Sequence, residues 1–255
     1  MKWMAPVLAV LLLFLLLLAK LPATWLDYTV RHYCRGALGV TATQGTIWRG
    51  RGDLQAILPS GEVKTLDKVT WRVDLAALLK GGMRVEVLRE ADVRPVLDAF
   101  AGLSGWTVHK LDLRLPASLL GVFSSTLSQL GLSGQMQFNL DGLGWGAGVI
   151  KGGGQVLWQD AGSTVTRVHP LGNYFVVLHG KGDALEYSLT TVGGKLDLHG
   201  NGAWRPGAYP LFDGQAVPLP AQREELAPLL RMLGKDSGTG IYTLVLDANT
   251  GLSAR

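Results

Sequence analysis

The stretch that decides the fold is Val69-Thr70-Trp71-Arg72-Val73-Asp74-Leu75, in which apolar and polar residues alternate without a break. Alternation with a period of two predicts a β-strand with one buried face and one solvated face. Such strands are typical of antiparallel sheets, because the strands of parallel sheets are covered on both faces and form continuous apolar runs. The stretch therefore predicts an antiparallel sheet.

The same alternation recurs along the chain, at residues 111–115, 136–140, 187–190 and 196–198. Glycine-rich signals between these segments predict the turns that connect the strands. These signals are Pro59-Ser60-Gly61, Gly81-Gly82, Gly152-Gly153-Gly154, Gly193-Gly194 and Asp213-Gly214. Together they predict a mainly β fold, with a large, twisted and mostly antiparallel sheet.

Two segments follow helical spacing instead. Residues 117–130 and 222–233 each place leucines on one side of a helix and end before a glycine, Gly131 or Gly234. A following glycine is a common end signal, so we expect two short helices. Pro228 leaves the length of the second helix open, because proline inside a helix removes a hydrogen bond.

Both predicted helices belong to a possible internal repeat. Each is preceded by Leu-Pro-Ala and followed by Leu-Gly, a turn and a strand, at an offset of about 104 residues. We expect two similar β-rich halves, residues 27–142 and 143–255, after an N-terminal transmembrane helix within residues 1–26. The alternative is chance similarity between two ordinary strand–helix–strand connections.

The predicted transmembrane helix rests on residues 3–19, WMAPVLAVLLLFLLLLA, an uncharged run between Lys2 and Lys20. As a helix it would be about 25 Å long, just short of the apolar thickness of a bilayer. A cleaved signal peptide also has a basic start and an apolar middle. However, Ala19-Lys20-Leu21-Pro22-Ala23 lacks the spaced small residues of a cleavage site. We expect a retained anchor and a periplasmic C-terminal part, although the flanking charges alone do not define the orientation.

Composition and motifs narrow the function classes. The single cysteine excludes an intramolecular disulfide. The net charge is only +4 and no block of Lys or Arg occurs, so nucleic acid is not expected as a partner. Cys-x-x-Cys, His-x-x-x-His and Gly-x-Ser-x-Gly are absent. Glycine pairs such as Gly50/Gly52 lack the context of a phosphate loop and are expected at bulges or turns. We predict no catalytic site, metal site or cofactor.

Four tryptophans are candidates for a groove that holds a ligand or partner: Trp48, Trp71, Trp158 and Trp204. They lie in or beside predicted strands, and packing on the inner face of the sheet explains them most simply. The alternative is a groove for an apolar group such as a lipid chain or a partner peptide. Trp3 and Trp25 flank the apolar run, where indole rings often lie at the headgroup level.

Several short segments, in this order and together with the N-terminal anchor, resemble the type II secretion system protein N family, also called general secretion pathway protein N. They are Gly45-Thr46-Ile47-Trp48-Arg49-Gly50, Val69-Thr70-Trp71-Arg72-Val73, Pro170-Leu171-Gly172-Asn173-Tyr174, residues 194–204, and residues 230–234 with Tyr242 and Leu244. The resemblance covers nearly the whole chain.

This resemblance implies a non-enzymatic accessory inner-membrane component of the machine that moves folded proteins from the periplasm across the outer membrane of Gram-negative bacteria. Other type II secretion components would be its partners. The chain is also similar to repetitive β-rich periplasmic proteins of envelope lipid handling, which have an N-terminal anchor and a long curved sheet.

The sequence therefore supports two alternative functions. The first is a contact subunit that uses its sheet edges and membrane helix to hold partners. The second is a module that binds or shuttles envelope lipid, which needs an apolar groove open to solvent. A sheet covered on both faces would favour the first function, and an open apolar trough would favour the second.

Overall fold

The computed structural model describes residues 17–91, 95–238 and 240–246. These residues form one open antiparallel sheet of 14 strands, which confirms the mainly β prediction. Consecutive strands are neighbours from β1 to β12, then β14 pairs with β12 and β13 forms the edge. The strands are β1 Leu38–Gly45, β2 Arg49–Ile57, β3 Val63–Asp74, β4 Gly82–Arg89, β5 Pro95–Gly102, β6 Gly105–Pro116, β7 Leu132–Gly146, β8 Val149–Ser163, β9 Gly172–Lys181, β10 Ala184–Gly194, β11 Leu196–Trp204, β12 Leu211–Pro218, β13 Lys235–Asp236 and β14 Tyr242–Leu246.

Few helices accompany the sheet. They are α1 Thr24–Tyr33, α2 Leu120–Phe123, α3 Ser125–Leu130 and α4 Arg223–Leu233, with short 3-10 helices at Leu75–Lys80, Ala117–Leu119 and Pro220–Gln222. The helix expected at 117–130 is present but interrupted at Ser124, which has extended backbone. Gly131 ends α3 with φ +52°. The helix expected at 222–233 is present as α4, with Pro228 inside it.

Two of the glycine-rich signals were wrongly predicted as turns. Gly152-Gly153-Gly154 lies within β8, and Asp213-Gly214 lies within β12. Gly152 has φ +75° and lies opposite a bulge in β7, where Gly142 and Leu143 face this single residue, so it lies at a bulge rather than a turn. A side chain at Gly214 would overlap the ring of Phe212, so this glycine allows close packing within the sheet.

Strand register places apolar side chains in rows on one face, which we call the inner face. One row runs across the five consecutive strands β6 to β10, through Leu113, Phe138, Val156, Val176 and Leu189. Most of this row is only half-buried, because no second sheet lies over it in the described residues. The sheet therefore has an apolar face that is covered only in part.

The outer face carries charges, as the alternation predicted. Trp71 is 4% exposed on the inner face, whereas the Arg72 side chain is 60% exposed and pairs with Glu86 at 2.9 Å. Arg84 pairs with Asp98 at 2.6 Å, and this hydrogen bond holds the pKa of Asp98 below its usual range. These ion pairs link β3, β4 and β5 across the solvated face.

Helices cover the inner face near its two ends. Leu226, Leu229 and Leu230 of α4 are fully or almost fully buried against residues of β9 to β14, including Tyr174 and Leu196. At the other end, Leu26 and Val30 of α1 pack in the cluster that contains Val40 and Trp71. The half-buried rows lie between these two helices.

The N-terminal half of the sheet is curled. Leu119, which follows β6, packs against Ala37 and Ala56, which lie beside β1 and within β2. β1 and β6 are five spacings apart, which would be about 24 Å in a flat sheet. Contact across this distance requires β1–β6 to bend around the space that α1 partly fills.

The first helical segment connects the neighbouring strands β6 and β7, and the second leads from β12 to β13, which is followed by β14, the neighbour of β12. The internal repeat and the division into halves 27–142 and 143–255 stay predictions. Within the described part of the chain, no helix has the length and apolar character needed to cross a bilayer. Residues 3–16 of the predicted anchor lie outside the described residues.

Candidate apolar cavity and sheet edges

A cavity of about 570 Å³ lies between α1 and the inner face of the curled strands β1–β6. Its size is typical of cavities that hold small ligands. Leu26 and Val30 line it from the helix, and Val85 and Leu111 line it from β4 and β6. The lining is almost entirely apolar, so the cavity is suited to an apolar group.

Apart from the indole N–H groups of three tryptophans, two lining residues carry polar side-chain atoms. The Thr29 hydroxyl donates to the carbonyl of Trp25 at 2.8 Å, so its proton is already used. Cys34 is the second, and burial raises the pKa of its thiol, which keeps it neutral. Neither group offers a charge or a strong hydrogen-bond donor to a ligand.

A carboxylate on α1 fastens the helix to the edge of the sheet. Asp27 Oδ1 accepts the backbone N–H of Val40 in edge strand β1 at 2.8 Å. Arg31 Nε donates to both carboxylate oxygens of Asp27 at 2.9 Å. A side chain at Gly39 would overlap this ion pair, so glycine leaves the room for it. The hydrogen bond between Asp27 and Val40 holds α1 over the cavity. It also satisfies an edge amide that would otherwise be open to strand pairing.

The structure brings two of the four candidate tryptophans together in this cavity, Trp48 and Trp71. Trp48 Nε1 donates to the carbonyl of Leu18 at 2.8 Å, and Trp71 Nε1 donates to that of Thr46 at 3.1 Å. Because both N–H groups have partners, the two rings add apolar surface to the lining. Gly50, expected at a bulge or turn, instead lies within β2, where a side chain would overlap the Trp71 ring.

The other two candidates lie elsewhere. Trp158 in β8 packs beside Tyr174 with ring centroids 5.7 Å apart, next to the core that α4 covers. Its Nε1 donates to the carbonyl of Ser133 at 2.9 Å. Trp204 ends β11 opposite Leu185 and is half-buried. Neither ring lines the cavity.

Among the cavity residues that sequence reasoning missed are those of α1 and its C-terminal end, because this helix was not predicted. Leu26, Val30 and Cys34 recur at every fourth position and all line the cavity. This spacing is typical of one helix face and could have predicted the helix. It could not have predicted that this face would lie against β1–β6.

A second, shallower groove of about 670 Å³ crosses strands β9–β14. Strand register places the side chains of Ala203, Leu211 and Val245 on the face that carries this groove. The rings of Tyr187 and Phe212, which lie parallel with centroids 6.2 Å apart, are on the opposite face of the same strands. Val245 of β14 lines the groove and is 46% exposed. This groove therefore reaches the C-terminal end of the sheet.

Strand β14 is the less covered end of the sheet. The two-residue strand β13 pairs only with Tyr242 and Thr243. In the described part of the chain, the backbone of Leu244, Val245 and Leu246 pairs with β12 on one side and with no strand on the other. An open edge of this kind can accept a further strand from another chain.

The described residues show no constellation for metal chemistry. They contain no group of three or more His, Cys, Asp or Glu side chains that could hold a metal ion. Burial raises the pKa of the Tyr174 phenol, with a smaller contribution from Asp197, but the hydroxyl donates to the carbonyl of Leu196 at 3.0 Å. This tyrosine connects β9 to β11 and is enclosed by the core.

Comparison with known protein families gives a match over most of the chain. The family model for type II secretion system protein N matches residues 36–245. The matched region starts just after α1 and ends within β14, so it contains nearly the whole sheet. No match was found among curated proteins, and none among solved structures.

Proposed function

Since the chain belongs to the type II secretion system protein N family, we propose that it is a non-enzymatic accessory component of that machine. In this role it supports the export of folded proteins from the periplasm across the outer membrane by holding other secretion components. The proposal assigns its work to contact surfaces and not to a reaction.

The open edge of β14 is the observation that supports this role best. At the opposite edge of the sheet, helix α1 covers strand β1, and its Asp27 carboxylate accepts a backbone N–H of that strand. Beside the open edge, the groove with Ala203, Leu211 and Val245 offers apolar surface to side chains of an added strand. Main-chain pairing with such an edge provides affinity, and the neighbouring groove provides specificity.

Site-specific photo-crosslinking in cells tests this contact. A photoreactive amino acid at Val245 should crosslink to a type II secretion component, which mass spectrometry identifies. Val63, at the start of β3, is the matched control because it is 54% exposed but distant in sheet order from β14. Equal crosslinking from both positions, or none from Val245 in cells that secrete normally, would contradict this edge as the docking site.

We also propose that the chain is a single-pass inner-membrane protein with its bulk in the periplasm. The uncharged run at residues 3–19 supports this location. Leu12→Arg should cost about 2.5–3.5 kcal/mol of insertion free energy, so the variant should leave the membrane fraction or be degraded. Recovery of the unsubstituted protein as a shortened soluble form would instead indicate cleavage by signal peptidase.

A second candidate function, binding or shuttling of envelope lipid, is supported by the partly open inner face. The row through Leu113, Phe138 and Val176 continues from the cavity under α1 toward β14. Transfer of a fluorescent phospholipid between vesicles tests this function. The full chain should accelerate transfer, whereas residues 1–20 fused to an unrelated soluble domain should not. Equal transfer rates for the two proteins would rule out shuttling.

A further inference from the structure

We propose that the cavity under α1 holds one acyl chain of a membrane phospholipid, an assignment that rests on the proposed lipid-binding function. The cavity is closed on one side by α1 and on the other by the curled strands β1–β6. Three properties carry this assignment: the chemistry of the lining, the volume, and the position of α1 relative to the bilayer.

The lining excludes water as a stable occupant. A buried water needs two to four polar partners. The polar side-chain groups of the lining are the Thr29 hydroxyl, the Cys34 thiol and the N–H groups of three tryptophans. The protons of Thr29, Trp48 and Trp71 are already donated to backbone carbonyls. An empty cavity would in turn deprive its lining atoms of dispersion contacts. An alkyl chain satisfies both conditions, because it fills the space and requires no hydrogen bond.

The volume matches a single fatty acyl chain. A methylene group is similar in size to a water molecule, which occupies about 30 Å³ in the liquid. The cavity of about 570 Å³ therefore corresponds to roughly 19 such groups. This is enough for one long acyl chain but not for both chains of a phospholipid.

The position of α1 points to the bilayer as the source of the chain. Thr24 begins the helix five residues after Ala19, the last residue of the uncharged run, so at most about 18 Å separates them. On the side of α1 that faces away from the cavity, Tyr28 is 68% exposed. Tyr33, at the C-terminal end of the helix, is 78% exposed, and Trp25, at the margin of the cavity, is 57% exposed. Tyrosine and tryptophan are enriched at the headgroup level of membranes. Helix α1 would thus lie on the bilayer with the cavity directly behind it.

Charge around α1 favours an anionic headgroup. Lys20, Arg31 and Arg35 are the cations of this segment, and Asp27 is its one carboxylate. Since Arg31 pairs with Asp27, the exposed Lys20 and Arg35 provide the net positive charge near the bilayer. Anionic lipids attract such basic residues next to a membrane segment. Phosphatidylglycerol is therefore the probe of choice.

Photolabelling from the acyl chain tests the assignment. The full chain is reconstituted into vesicles of phosphatidylcholine and phosphatidylglycerol that contain phosphatidylglycerol with a photoreactive group near the end of one acyl chain. After illumination, mass spectrometry should find label on strands β3, β4 and β6, in peptides that contain Val73, Val85 and Leu111. These residues line the cavity and lie far along the chain from the apolar run. Label confined to residues 1–33 would overturn the proposal.

A cavity-filling variant provides the matched comparison. Val85→Trp should abolish labelling of the β3 and β6 peptides while labelling of residues 1–20 continues. Val177→Trp, on an exposed position of β9 outside the cavity, should leave both signals unchanged. If circular dichroism shows that Val85→Trp does not fold, Val85→Phe repeats the test with a smaller added volume. Undiminished strand labelling in a folded cavity-filling variant would refute occupation of the cavity.

The same variants separate this assignment from the broader functions. If the strand peptides are not labelled but the chain still accelerates lipid transfer, the cavity is not the lipid site, although lipid shuttling stands. Labelling that is present without any transfer would support the site and refute shuttling. Secretion of a type II substrate by cells that carry Val85→Trp then shows whether the contact role depends on the bound lipid.

Discussion

Replacement of Trp71 by alanine should be among the most destabilising single changes in the N-terminal half. The side chain is 4% exposed and packs with Val40, Leu54 and Val87. A buried tryptophan removes about 150–250 Å² from water, which at about 25 cal/mol per Å² corresponds to about 4–6 kcal/mol. This figure is an upper bound, because the unfolded chain already buries part of the surface.

Two local features adjust this magnitude. Part of the Trp71 ring faces the cavity and not packed atoms, so fewer dispersion contacts are lost than in a close-packed core. The substitution also removes the hydrogen bond from Nε1 to the Thr46 carbonyl, which adds to the loss. We therefore expect a loss of about 3–4 kcal/mol, within the usual range for tryptophan to alanine changes.

Urea denaturation of the full chain in detergent micelles, followed by circular dichroism, measures this effect. With a slope of about 3 kcal/mol per M for a chain of this size, the midpoint should fall by about 1 M. Arg72→Ala is the control on the opposite face. Its ion pair with Glu86 is largely exposed, so the free energy of unfolding should change by less than about 0.5–1 kcal/mol. Equal shifts for Trp71→Ala and Arg72→Ala would refute the assignment of inner and outer faces.

The other predictions concern α4, β2 and the ion pair between β4 and β5. Leu230→Ala should lose about 2–5 kcal/mol because Leu230 is completely buried, whereas Met232→Ala on the exposed side of α4 should change unfolding little in the same urea experiment. Gly50→Val should lose about 1–3 kcal/mol, because the new side chain would displace the tryptophan ring that lies against it, and near-ultraviolet circular dichroism should report that displacement. The hydrogen bond from Arg84 lowers the pKa of Asp98 in the folded protein. The pair therefore stabilises the fold at pH values above the unfolded-state pKa of about 3.9, and this stabilisation is lost as the pH falls through the folded-state pKa. Asp98→Asn should therefore flatten the loss of thermal stability below about pH 4, and an unchanged acid profile would contradict this assignment.

The strands could be predicted from sequence because their signal is local. Apolar and polar residues alternate at 69–75, and β3 covers all of this stretch except Leu75. The strand ends there because the Asp74 carboxylate accepts the N–H of Ala76 at 2.9 Å and begins a 3-10 helix. A capping side chain of this type is also readable from sequence, but alternation alone did not reveal it.

The cavity could not be predicted, because it depends on contacts between distant parts of the chain. Alternation correctly assigned Trp71 to the inner face and Arg72 to the outer face. It carries no information about curling, which brings β1 and β6 around the same space. That curling depends on packing such as the contact of Leu119 with Ala56. The cover of the cavity depends equally on one long-range hydrogen bond, from the Val40 amide to Asp27.

The glycines show most clearly why some of the sequence signals pointed to the wrong structure. A glycine suggests a turn when only its neighbours along the chain are considered. At several glycines here, however, the space that a side chain would take is filled by an aromatic ring from an adjacent strand. A side chain at Gly50 would overlap Trp71, and one at Gly202 would overlap Tyr187. A side chain at Gly200 of β11 would likewise overlap Phe212 of β12.

An aromatic ring that lies against a glycine in the neighbouring strand loses contact with water on one side without any second layer of structure. A sheet with helices over only its two ends needs such pairs, since most of its inner face has no other cover in the described residues. The glycines therefore stabilise the sheet by allowing its aromatic side chains to lie flat. The same arrangement keeps the inner face thin and accessible, which is the property that an apolar ligand or an added strand would require.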